Sequence, residues 1–358
     1  TGVLMLDYKN IFSIKPFSLN EKEKDKWYYS NQKKLTAYHF KNCKEYKKIT
    51  NKIHGGLNKS KNLSELPFIP SNLFKDYNLV TNNNDDFMKT LTSSGTSGSK
   101  NSIISLDRKT SLLQSRALSN IFQDILNKKR GTMFVVDSPK VFSDFKSLNA
   151  RGAAIKGFSQ LVDKTVFLLD KDLNLKINLL IDFLKTNPKQ QFIIFGFTSF
   201  IWQYLIKKIK NKKLIPANNG ILIHGGGWKK MQDQAVGRDL FNIKITNTVG
   251  IKKIHNYYGM VEQTGSVFLE CEHGFFHSSI FSDIIVRDAD LKISPLKKEG
   301  LLQVFSLLPL SYPGHNILTE DVGALQGIDN CKCGRKGKYF YIKGRVPGTE
   351  IRGCSDTN

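Results

Sequence analysis

An α/β fold built on a mainly parallel sheet is the architecture this sequence predicts, and three observations carry the prediction. The runs TMFVV (132–136), TVFLL (165–169), QFIIF (191–195), GILIHG (220–225) and KIHNYYG (253–259) each read as a buried strand. Helical segments such as LNLKINLLIDFLK (173–185) and SFIWQYLIKKIK (199–210) lie between them, and strands that alternate with helices pair in parallel. After about residue 260 the character changes: SVFLEC, GFFHSS, SDIIVRD, LLQVFSLL and KYFYIKGR are short strands separated by turns. The expected organisation is an α/β core with an N-terminal helical segment over 1–257, a smaller β-rich subdomain over 258–343, and a short tail over 344–358.

The elements before the sheet follow in order. Tyr28, Leu35, Tyr38, Tyr46 and Ile49 fall on one helical face, so residues 20–50 read as one or two amphipathic helices. LPFIPSNLFKDY (66–77) crosses a loop with two prolines. SIISL (102–106) is a short strand. Asp107 then caps a helix running to about Lys129, with Leu118, Ile121, Phe122 and Ile125 as its apolar face. Parallel sheets bind ligands in the loops at the carboxyl ends of their strands.

Composition sets the class. The 358 residues are 40% hydrophobic, enough for one large domain or two to three subdomains. No run of about 18 apolar residues and no secretory signal is present, so neither a membrane span nor export is expected. The chain opens Thr1-Gly2-Val3-Leu4, and Met5 is read as the natural start. The net charge is +23, but lysine and asparagine are spread along the chain, as in LNKSKN and NKKLIPANNG. That is a compositional bias rather than a nucleic-acid footprint, and no nucleic-acid motif accompanies it. Such a charge still attracts anionic substrates or acidic partners. Five cysteines without an export signal suggest a reduced, cytoplasmic protein.

TSSGTSGSK (92–100) has the make-up of a phosphate-binding loop: glycines that let the backbone approach, hydroxyls and amides that face oxyanions, and one lysine. It is not a P-loop. Gly95 and Gly98 have two residues between them instead of four, Lys100 does not follow a glycine, and Asn101 stands where the magnesium hydroxyl belongs. Another kind of nucleotide loop and a plain flexible linker both remain open from composition alone. Late in the chain, CEHGFFH (271–277) and CKCG (331–334) offer thiols and imidazoles. Cys271, Cys331 and Cys333 with His277 or His273 are a candidate structural Zn²⁺ site, although Cys-x-Cys is tighter than the usual spacing and unligated groups are the alternative. His255, His315, Arg151 and Trp228 are each read as either site residues or packed core.

Further motifs change the reading of the loop. SSGTSGSK, followed in order by HGGGWKK (224–230), NYYGMVEQTG (256–265), LTEDVG (318–323) and IKGRVPGTEIRG (342–353), resembles the signatures of the adenylate-forming superfamily. The resemblance implies that family's large-domain fold, with its mobile C-terminal domain absent or reduced to a hinge-like tail. It implies ATP phosphates on Ser93, Ser94, Gly95, Thr96, Ser97 and Gly98, with Lys100 catalytic. Gly225, Gly226, Gly227, Tyr258 and Gly259 would lie against adenine and ribose, Glu262 would hold Mg²⁺, Asp321 the ribose hydroxyls, and Arg345 the nucleotide. Nearly the whole chain is similar to one branch, the LuxE-like acyl-protein synthetases of bacterial bioluminescence. Its carriers are LPFIPSNLFKDYNL, RGAAIKGFS, YGMVEQTGSVFLEC and EIRGCSD. Those proteins activate a fatty acid with ATP and carry the acyl group on a cysteine near the C-terminus, which implies that role for Cys354 and an acyl-accepting partner protein such as a reductase or acyltransferase.

The chemistry explains the residue types. A carboxylate is a poor acyl donor because oxide is its leaving group, and attack on the α-phosphorus of ATP supplies a better one. The protein must neutralise phosphate charge and align the attack, and a thiolate is an apt second nucleophile. Two other readings stand beside this one: an acyl-CoA ligase of the phenylacetate type, and a non-catalytic adenylate-binding subunit.

Overall fold

The structure is a computed structural model that describes residues 6–57, 60–81, 87–93, 101–127, 130–142, 147–209 and 217–346. The chain divides into two compact units. One gathers the chain up to Thr92, a stretch ending at Ile121, and the chain from Gly259 onwards; the other is centred on Phe122–Tyr258.

The Phe122–Tyr258 unit holds the parallel sheet. In space its strands run Lys164–Phe167, Thr132–Val135, Phe192–Phe197, Gly220–Gly225, Lys253–Tyr258, every neighbouring pair parallel. Numbered along the chain this is the order 2-1-3-4-5 of doubly wound folds, whose switch point lies between the first and third strands. The strands are apolar because both faces are covered: Phe134, Ile194 and Leu222 sit in one cluster with Leu180, Trp202, Phe241 and Ile245. The expected helix over 173–185 is shorter, Asn178–Thr186. Its first turns are lost to Asp170, whose Oδ1 accepts from the backbone of Asp172 and Asn174 while Leu173 turns left-handed at φ 63. The segment expected to be helical over 199–210 widens into a π-turn over Ile201–Ile206.

The other unit is antiparallel. Its sheet runs Ser282–Arg287, Gly300–Ser306, Asn316–Ile328, Lys338–Arg345, Phe276–His277, Phe268–Glu270, with Ile69–Pro70 added in parallel to Asn316–Ile328. Phe87–Thr92 and Ile103–Asp107 form a separate hairpin whose connection carries the Ser/Thr/Gly loop. Two N-terminal helices, Glu21–Asn42 and Lys44–His54, pack on this unit. The first starts in a capping box, Asn20 with Glu23. The second ends at Gly55 in the left-handed conformation. Helix Glu21–Asn42 is tied to the sheet by polar bonds. Lys24 Nζ donates to Ser282 O at 2.7 Å and lies 3.3 Å from Asp283 Oδ2; Lys338 Nζ bridges Asp283 and Glu21 at 2.9 Å each. His39 stacks on His315 with ring centroids 4.7 Å apart, both fully buried. That settles His315 as a core residue. Among the described residues, no helix is long and apolar enough to cross a membrane.

Candidate active site and metal centre

Each unit contributes its own set of candidate residues. In the parallel unit they stand at the carboxyl ends of strands. Gly225 closes its strand where no side chain fits, since a Cβ there would lie 2.8 Å from the Tyr257 ring and 2.9 Å from Tyr257 O. Gly226 and Gly227 follow with φ 78 and 65, a turn only glycine makes at ease. His224, just before, shares a hydrogen bond of 2.9 Å with Thr198 Oγ1, and burial pushes it down to about 3. Trp228 is half-buried and packs on Trp202 and Phe241 at the edge of the core. Tyr258 is half-buried and ends the last parallel strand, while His255 is half-buried within it.

The switch point holds a pair that sequence reasoning missed in part. Asp137 follows the first parallel strand, and its Oδ2 lies 3.0 Å from Arg151 Nε. Both are buried, and Arg151 also lies over the Phe200 ring at 4.7 Å. Burial raises the Asp137 carboxyl to about 6, against the pull of Arg151. Arg151 was a candidate from its motif. Asp137 had no signal beyond its place one step past a buried strand.

In the antiparallel unit, Glu262 sits in a one-turn helix, Val261–Gln263, and is 7% exposed. Its charge helps raise the Tyr312 hydroxyl, for which burial is the larger cause. Asp321 and Arg345 face each other across two antiparallel strands, Nε to Oδ1 3.2 Å. The T-x-D spacing has a local reason: Thr319 Oγ1 accepts from Asp321 N at 3.1 Å and donates to Leu302 O at 2.8 Å, which fixes the strand where Asp321 emerges. Gly259 is exposed and Ser93 half-buried. Ser94, Gly95, Thr96, Ser97, Gly98, Lys100 and Cys354 lie outside the described residues.

The same unit gathers Cys271, His277, Cys331 and Cys333, whose ligand atoms all lie within 4.8 Å of one another. Cys271 Sγ is 3.9 Å from Cys331 Sγ, and Cys333 Sγ is 3.3 Å from His277 Nε2. Local structure brings them there. Cys271–Gly274 and Cys331–Gly334 each close a turn through a backbone bond, of 2.9 and 3.0 Å, with the glycine at φ 81 and 83. Pairing of Phe276–His277 with both Phe268–Glu270 and Lys338–Arg345 then carries His277 inward. His273 is outside the group, 3.9 Å from Glu272 at the surface. A tetrahedral Zn²⁺ with bonds of about 2.0–2.3 Å has ligand-to-ligand edges of roughly 3.3–3.8 Å, so the donor set suits that ion, and the Cys333–His277 and Cys271–Cys331 separations lie at or just above those edges while the group as a whole spans up to 4.8 Å. Burial raises the Cys271 thiol, pushes Cys333 up to about 12 and lowers His277 to about 3.

Residues 5–358 match the family model described as acyl-protein synthetase, LuxE. The chain is 27% identical over 351 residues to a long-chain-fatty-acid–luciferin-component ligase of Vibrio harveyi, covering 92% of this chain and 88% of that protein. It is 26% identical over 345 residues to the protein of the same description from Aliivibrio fischeri, covering 89% and 84%. Among solved structures, an open conformation of 2-hydroxyisobutyryl-CoA ligase with 2-HIB-AMP and CoA is similar at a TM-score of 0.72 and 16% identity, covering 93% of this chain and 77% of that one. Likeness at that identity shows a shared fold.

Proposed function

The chain belongs to the acyl-protein synthetase family LuxE, and from that premise we propose that it activates a carboxylic acid of the fatty class as an acyl adenylate and moves the acyl group onto its own Cys354. The observation that carries the reading is the family match over residues 5–358, within which the ordered motifs fall. In the first step a substrate carboxylate oxygen attacks the α-phosphorus of ATP, and pyrophosphate leaves. In the second the Cys354 thiolate attacks the acyl carbon, a thioester forms, and AMP leaves with the bonding pair. Mg²⁺ on Glu262 would neutralise phosphate charge. Lys100 and the Ser/Thr/Gly loop hold the phosphates, and Asp321 and Arg345 orient the nucleoside side. A protein with an acyl-accepting site then takes the group from Cys354. The cluster Cys271, His277, Cys331, Cys333 would hold a structural Zn²⁺; it belongs to the β-rich unit and would take no part in either step.

Intact-mass analysis after incubation with ATP, Mg²⁺ and a panel of carboxylic acids tests the reading. One acid should add its acyl mass to the chain, reversibly by hydroxylamine, and the Cys354→Ser variant should form the adenylate without becoming labelled. Equal labelling of that variant, or rapid acylation of added CoA with none of the protein, replaces the carrier role by that of an acyl-CoA ligase.

A further inference from the structure

The turn that bears Glu262 is clamped from two sides by residues with no part in the chemistry assigned above. Gln263 is 2% exposed. Its Nε2 donates to Val304 O at 3.0 Å and to Gly314 O at 2.9 Å. Carbonyl oxygens only accept, so the amide has one possible orientation, with both of its hydrogens used. Its Oε1 has no hydrogen-bond partner among the described residues. A buried amide with an unmatched acceptor is a poor source of stability, and an apolar side chain would fill the same space at less cost. The second clamp is the backbone at Gly314. A Cβ there would lie 2.3 Å from Tyr312 Cε2 and 2.4 Å from Glu262 O, so the chain passes directly against the carbonyl of Glu262. Behind the turn, Gly265 at φ +86 lets the backbone close on Gln114, where a Cβ would lie 2.6 Å from Gln114 O.

We propose that Gln263 and Gly314 are positioning residues for Glu262: they fix its turn before nucleotide and metal arrive, so that binding has little left to order. The proposal rests on the reading of Glu262 as the ligand of the nucleotide's metal. Gln263 acts through two backbone carbonyls, and its influence on the reaction passes through Glu262 alone.

Gln263→Met keeps the length of the side chain and removes the donor. Gln303→Met is the control: it deletes another fully buried amide of the same sheet, one that donates to Asn316 Oδ1 at 2.8 Å and accepts from Arg287 Nε, with no side-chain hydrogen bond to the turn among the described residues. Two readouts apply, binding of Mn²⁺·ATP by electron paramagnetic resonance and the Mg²⁺ dependence of carboxylate-dependent exchange of pyrophosphate into ATP. Gln263→Met should weaken Mn²⁺·ATP binding and raise the Mg²⁺ requirement by about 10–100-fold, the range for losing a group that orients a metal ligand. Gln303→Met should lower stability and leave both readouts close to the parent. Unchanged Mn²⁺·ATP binding in Gln263→Met, or the same shift in both variants, overturns the proposal. Should Gln263→Met fail to fold, Gln263→Asn, which keeps the amide but withdraws it, must show the same change in the same direction. A parent that neither binds Mn²⁺·ATP nor exchanges pyrophosphate would instead sink the adenylation reading, a result distinct from an active parent indifferent to Gln263.

Discussion

Glu262 illustrates how a single side chain is made useful by its surroundings. It is almost fully buried on a one-turn helix whose backbone packs against Gly314. A carboxylate held in this way interacts strongly with a cation because little water competes. Replacing it by its neutral isostere tests whether that charge is used. Glu262→Gln should lower carboxylate-dependent pyrophosphate exchange by about 10²–10³-fold, the effect of deleting one preorganised electrostatic group. Lys100→Ala should lower it in the same assay. Normal exchange in both variants would remove the adenylation reading. At this scale the sequence was partly legible. Glu262, Asp321 and Arg345 stood out because each lies in a run of neighbours in the chain. Gln263 did not, because its two partners are 41 and 51 residues away. Asp137 and Arg151 meet only because the sheet brings a strand end against a helix.

Among the elements, the parallel strands were easy to read, since burial on both faces leaves unbroken apolar runs. The longest strand, Asn316–Ile328, was not read as one element. Its middle carries Thr319, Glu320, Asp321 and two glycines, and its pairing with Lys338–Arg345 is broken by two register shifts. A strand that bulges to present side chains loses the alternation by which strands are recognised. The Cys/His group was visible as a composition but not as a choice between His273 and His277. Strand pairing decided that, because His277 lies opposite both Leu269 and Tyr339. If the group holds Zn²⁺, the purified protein should carry about one zinc per chain, and chelation should lower its Tm, since metal bound only by the folded state adds to folding free energy. Metal-free protein with an unchanged Tm would leave four unligated side chains. The charge group of helix Glu21–Asn42 makes a second prediction at this scale. Asp283 is fully buried between Lys24 and Lys338; burial opposes its charge, and the two lysines overcome that and hold it low. Asp283→Asn leaves two buried ammonium groups with less compensation. It should cost about 3–5 kcal/mol, read as a lower denaturant midpoint at constant m. A loss under about 1 kcal/mol, the range of exposed pairs, would mean that the group is wetter than its burial implies.

For the whole molecule, the buried histidines set the response to acid. Burial pushes His39 and His224 from an ordinary 6.5 down to about 3, and His315 well below 6.5. Unfolded, they take up protons near pH 6.5; folded, they do not until far lower. Stability is therefore full above pH 6.5 and declines as pH falls towards 3, each histidine contributing up to about 1.4 kcal/mol per pH unit. Asp137, raised from 3.8 to about 6, and Glu21, also raised by burial, run the other way, because the fold holds their protons more firmly than the unfolded chain does. His54 and His277, lowered by burial, and Asp283, held low by its two lysines, act in the same direction as these three histidines and together they outweigh the two carboxyls, so urea unfolding should show falling stability from pH 7 to pH 4. His39→Gln should flatten the slope, and a stability that rises over that range would show the carboxyls to dominate.

The bonds of helix Glu21–Asn42 also bear on how the protein is made. Lys24 reaches Ser282, Gln32 reaches Ser306 and His39 reaches Pro309, spans of 258, 274 and 270 residues. At a synthesis rate of roughly 5–20 residues per second, the ribosome needs about 13–50 s to deliver the partner of Lys24 after Lys24 itself. Helix Glu21–Asn42 is thus among the last elements to find its place. Until then its tyrosines and Lys24 have only solvent, or a chaperone, for company.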